Sequence, residues 1–232
     1  MLMTSVSNFS NVAYSPTSKV GIRMVELTEV TRVALASATK HRSLFHATFG
    51  LDTLLGRVVL GSNEPIVSQI RLAWWREKLQ VLSAGALDRD PLTALIQSSW
   101  GMDTSPLIKL IDGWESFIVE PKRPMFFVSA KAELVRAIAE KVGSQSDVDG
   151  AVLDAKLWAY ADLANIADEM TRAWALQEWR KLPSVTHTKA RELRPLRVLG
   201  GLARRSLENG GKPMLGDRMS PLVALRLGLW GK

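Results

Sequence analysis

The run Ile70-Arg71-Leu72-Ala73-Trp74-Trp75-Arg76-Glu77-Lys78-Leu79 decides how this chain is read. Apolar residues recur there at three- and four-residue intervals, the spacing of a helix. Ile66, Ile70, Ala73, Trp74 and Val81 fall on one side, interrupted only by Glu77, the stripe of an amphipathic helix. Trp74 and Trp75 lie about 100° apart on such a helix. One is therefore expected in the core and the other at a helix interface.

The same period runs through the rest of the chain. Val135, Ile138, Ala139 and Val142 repeat it, as do Leu196, Leu199, Leu202 and Ala203. Asp90-Pro91, Ser105-Pro106 and Ser220-Pro221 read as an N-cap followed by proline at the first helical position, where its missing N–H costs nothing. Asn63-Glu64-Pro65 is a looser form of this signal, and Gly85, Gly101 and Gly143 read as stops. No alternating strand pattern bounded by hairpin turns is present. The expectation is an all-α chain with helices over 27–40, 43–60, 65–83, 91–100, 106–119, 129–142, 147–180, 189–207 and 220–230. Pro195 makes the start of the 189–207 helix its least determined boundary.

The chain has 232 residues, 47% of them hydrophobic, enough for one sizeable core and one domain. The division expected is a loose tail over 1–25 and a helical domain over 26–232. The tail is rich in Ser, Thr and Asn, with Lys19 and Arg23 and no acid. It reads as an organellar targeting peptide, as a start extended upstream of Met24, or as a plain tail, and lacks the apolar core of a secretory signal. No cysteine is present, which excludes disulfides, a thiolate nucleophile and a sulfur-ligated zinc. His41, His46 and His187 have no same-face helical spacing for a metal. The net charge of +7 favours anionic partners, with a merely solvated basic surface as the alternative. Nucleic acid is the weaker candidate, since few aromatic residues stand among the basic ones and no nucleic-acid module is recognised. GxSxG elbows, P-loops and GxGxxG runs are absent. No stretch approaches about 18 consecutive apolar residues, so no membrane span is expected.

The segment "EPIVSQIRLAWWREKL" resembles a helix of the squalene/phytoene synthase family, and "LIKLIDGWE" resembles another of its segments. The likeness extends more weakly through "WAYADLANIADE" and "RPLRVLGGLARR" and covers Val25 to Lys232. It is to a divergent, short, bacterial-type subgroup and, more distantly, to a mitochondrial assembly factor of respiratory complex I. The resemblance implies a single-domain helical bundle of the isoprenoid synthase type. Full members join prenyl diphosphates, holding magnesium and the diphosphate on aspartate pairs one helical turn apart.

Where the family carries its first aspartate pair, this chain has Asp52 alone, with Gly56 one turn later and Arg57 beside it. An arginine next to a lone carboxylate opposes a metal, so Asp52 reads as a carboxylate paired with an arginine ahead of a magnesium ligand. In the second motif Asp162 falls on the family's glutamine, Glu169 on its first aspartate and Ala173 on its last. On one continuous helix Asp162, Asn165 and Glu169 share a face and offer oxygens to a magnesium–diphosphate complex, or form a hydrated outer stripe. Arg57, Arg71 and Arg76 are the candidate phosphate binders. Arg191, Arg194, Arg197, Arg204 and Arg205 crowd the 189–207 helix, which suits an anionic membrane surface or a solvated basic face.

The first functional expectation is a family member with a degenerate magnesium–diphosphate site that binds an isoprenoid or lipid, or assists assembly of a protein partner. The second is an active prenyltransferase with a reduced metal site built from Asp52, Asp162 and Glu169. The third is a peripheral membrane factor for assembly of a respiratory complex. The location these imply is cytoplasmic, at the inner membrane for a docked form, and mitochondrial for a eukaryotic chain.

Overall fold

The computed structural model describes residues 25–85, 90–119, 124–183, 188–215 and 220–229. Among them the chain forms ten α-helices and no strand. In order these are α1 (Glu29–Ala36), α2 (Arg42–Leu60), α3 (Pro65–Ser83), α4 (Pro91–Trp100), α5 (Ser105–Val119), α6 (Met125–Lys141), α7 (Val148–Ile166), α8 (Glu169–Glu178), α9 (Arg194–Glu208) and α10 (Ser220–Leu229). The all-α expectation holds. The expected tail lies outside the described residues except for Val25, as does His187. Among the described residues, no helix is long and apolar enough to cross a membrane.

The proline and glycine signals operate as the chemistry requires. The Asp90 carboxylate accepts from the backbone N–H groups of Leu92 and Thr93 at 3.0 and 3.1 Å, with Pro91 opening α4. Gly101 ends that helix at φ 67°, a left-handed conformation that costs glycine little. The helix expected over 147–180 is divided instead. Ala167 turns extended, and Asp168 caps a new helix by accepting from Met170 and Thr171 at 2.9 and 3.0 Å. Backbone and hydroxyl donation from Thr171 holds the Asp168 carboxyl below its ordinary range. The 189–207 helix begins at Arg194, with Pro195 in its first turn.

α7 is the centre of the bundle, packed on α6, α8 and α9, while α5 joins α6 to α2 and α3. Small residues let these helices approach closely. A Cβ built on Gly200 of α9 would stand 2.2 Å from Asp154 Oδ1 on α7, and one on Gly113 of α5 2.5 Å from the Ala130 Cβ on α6. Gly200→Ala is therefore expected to destabilise the fold by about 1–3 kcal/mol through overpacking, read from the urea midpoint at unchanged slope.

Two helices place their side chains contrary to expectation. The α3 stripe of Ile66, Ile70, Ala73, Trp74 and Val81 faces outward: Ile66 is 69% exposed, Ile70 64%, Val81 55% and Trp74 51%. The core takes Leu72, Trp75, Leu79 and Leu82 from the opposite face. Both faces of α3 are apolar, so periodicity alone could not choose between them. Of the tryptophan pair it is Trp75, the one outside the expected stripe, that is buried. Trp74 lies edge-on to it at 5.2 Å with the Lys78 ammonium over its ring, and does not fill a helix interface. α9 lies against α7, α1 and α10, and does not display an arginine stripe. Arg197 is buried and donates to the Thr188 carbonyl at 3.1 Å, and Arg194, Arg204 and Arg205 are half-buried.

Candidate functional site

A cavity of about 470 Å³ opens between α2, α5 and α7, with the start of α1 and Met214 at its rim. That size lies within the roughly 300–1,000 Å³ range of small-molecule pockets. α2 contributes Asp52, Thr53, Gly56 and Arg57 on successive turns, and α7 contributes Trp158, Asp162 and Ile166 at four-residue spacing, one helical face. Trp114 of α5 closes the inner end.

Beneath the cavity lies a fully buried ammonium. Lys131 of α6 is 0% exposed and donates to Asp52 Oδ2 at 3.3 Å and to Asp162 Oδ2 at 2.5 Å. The indole N–H of Trp114 donates to the other oxygen of Asp52 at 2.9 Å. The ammonium also sits 3.5 Å from the ring centre of Trp158 and 4.8 Å from that of Phe127, close enough for cation–π attraction. Two carboxylates, one lysine and three aromatic rings thus form a closed network. Burial pushes the Asp162 carboxyl up to about 6 from 3.8; the Lys131 ammonium pulls it down and the Asp52 charge adds to the rise.

Gly56 makes this arrangement possible. A Cβ there would approach the Trp114 ring at 3.2 Å, so the indole occupies the space that a second carboxylate on α2 would need. Magnesium fits the resulting donor set badly. Both oxygens of Asp52 and one of Asp162 are already accepting hydrogen bonds, and a dication would be repelled by the ammonium between them. Among the described residues no three or more of His, Cys, Asp and Glu gather as a metal site.

The other candidates are distributed over the surface. Arg57 stands on the cavity rim in an ion pair with Glu26. Asn165 is exposed and donates to the Ala161 carbonyl at 2.7 Å; Glu169 is exposed beyond the helix break. The three oxygens expected on one face are therefore split, and only Asp162 lines the cavity. Arg71 is exposed on α3 and does not line it. Arg76 donates to Asp112 at 2.5 Å and to Glu115 at 2.6 Å, tying α3 to α5. Burial works to lower its pKa, but the hydrogen bonds and charges of those two acids outweigh it and raise it. The two segments that carry the family likeness most strongly thus hold each other.

Lys131, Trp114 and Thr53 were not singled out by the sequence reading. A signal for Lys131 exists: it stands within the α6 stripe of Phe127, Val128, Leu134, Val135 and Ile138, a lone cation on an otherwise apolar buried face. A comparison with protein-family models, curated proteins and solved structures finds no match to this chain.

Proposed function

We propose that this protein is an isoprenoid-synthase-type helical domain that binds an apolar-chain ligand in the α2–α7 cavity and does not carry out magnesium-dependent prenyl transfer. One observation carries the reading: the Lys131 ammonium joins Asp52 to Asp162 beneath an apolar-walled cavity, in the space between paired acids that a metal would need. Departure of a diphosphate places several negative charges on the leaving group, which must be stabilised as they develop. Among the described residues the cations near the cavity are Lys131, buried between two carboxylates, and Arg57, paired at the surface with Glu26. The resemblance in "EPIVSQIRLAWWREKL" and "LIKLIDGWE" supports the fold type and an isoprenoid or related lipid as ligand.

The test is incubation of the purified protein with farnesyl and geranylgeranyl diphosphates and magnesium. The expected result is no diphosphate release above the protein-free rate. Release that disappears in Asp52→Asn would instead establish a prenyltransferase with a reduced metal site.

A further inference from the structure

We propose that the ligand of this cavity is an apolar chain ending in a hydroxyl, and that the corresponding diphosphate is rejected. The inference rests on the reading of the cavity as a ligand site and specifies the head group that site accepts.

Asp52, Asp162 and Arg57 are the charged residues that line the cavity, and Lys131 lies directly beneath. Lys131 is bound by both acids, and Arg57 by Glu26. Among the described residues, an entering diphosphate would meet two carboxylates, with Arg57 at the surface already facing Glu26. Burying a diphosphate there without a full set of counter-charges costs far more than burying a hydroxyl that finds a partner.

What the cavity does offer is hydrogen bonding among apolar lining residues. Asp162 Oδ2 is held by Lys131, but its Oδ1 accepts no hydrogen bond among the described residues, and 21% of the side chain remains exposed. Next to Asp52 on α2, the Thr53 hydroxyl is buried without a hydrogen-bond partner among the described residues. The two χ1 rotamers open to a helical threonine let that hydroxyl turn toward an entering group. A ligand hydroxyl donates to Asp162 Oδ1 and accepts from Thr53, satisfying both. Leu60, Ile166 and Met214 then face the chain of the ligand.

Calorimetric titration of the full chain with farnesol, farnesyl diphosphate and the hydrocarbon farnesene tests this. Farnesol is expected to bind at least about tenfold more tightly than farnesyl diphosphate, a difference of one modest buried-charge penalty. Thr53→Val is expected to weaken farnesol about fivefold, the worth of one hydrogen bond, and to leave farnesene unchanged. Farnesyl diphosphate binding as tightly as farnesol overturns the head-group inference and leaves the cavity as a ligand site. Farnesol affinity unmoved by both Thr53→Val and Asp162→Leu overturns it as well. Failure of all three probes to bind removes the ligand-site reading itself.

Discussion

Lys131→Met is expected to destabilise the protein by about 3–5 kcal/mol, the range for stripping one partner from a buried ion network. Methionine fills much of the lysine's volume, so the loss is electrostatic in origin. It leaves Asp52 and Asp162 buried with no counter-charge, and forfeits the attraction between the ammonium and the Trp158 ring. Urea unfolding followed by far-ultraviolet circular dichroism would show a lower midpoint at unchanged slope. The decisive companion is the triple variant Lys131→Met/Asp52→Asn/Asp162→Asn. It removes the charges together, and the amide oxygen at 52 still accepts from Trp114. Most of the lost stability should return, because a buried network replaced as a whole is often neutral or stabilising. If the single variant unfolds at the wild-type midpoint, the network is not what organises this part of the core.

Asp162→Asn should raise stability at alkaline pH and leave it unchanged in acid. The sign follows from linkage. With its carboxyl at about 6 in the folded state against 3.8 unfolded, Asp162 binds its proton more tightly when folded. Below the unfolded value both states hold the proton and the residue contributes no pH dependence. Between 3.8 and about 6 the unfolded chain ionises first, so stability falls as pH rises. Above that window the full cost is present, about 3 kcal/mol for a shift of about two units. Asparagine keeps an acceptor for Lys131 and removes that cost. Urea midpoints of both proteins at pH 4 and pH 8 check this. A gain of equal size at both values would mean that the titration of Asp162 is not its source.

These two variants probe a site only half visible in the residue order. Asp52 and Asp162 were each identifiable as carboxylates within apolar helices, and both line the cavity. The resemblance placed them in one site as magnesium ligands, but the lysine that joins them instead was not identifiable, because it comes from a third helix 79 residues from Asp52 and 31 from Asp162. Asn165 and Glu169 show the converse failure. Their spacing is right for one helix face, but Asp168 finds two backbone donors and starts a new helix between them. Capping is local chemistry, so Asp168-Glu169-Met170-Thr171 carried that signal in the sequence. The Ile70–Leu79 run behaved in a third way. Arg76, a candidate for an anionic ligand, meets Asp112 and Glu115 of α5, so the two segments act in joining α3 to α5.

Helix positions follow from properties that neighbouring residues settle among themselves. Asp90-Pro91, Pro65 and Gly101 act within one turn, and boundaries such as 65–83 and 91–100 need no distant partner. Two things required the tertiary structure. One is which apolar face of α3 is buried, since Leu72, Trp75 and Leu79 compete with Ile66, Ile70 and Trp74 on nearly equal terms until α5 and α2 are in place. The other is the charge state of the cavity. A lysine, two aspartates and a tryptophan are individually ordinary surface-compatible residues; only packing brings them within hydrogen-bond reach and out of water, where their charges must answer one another.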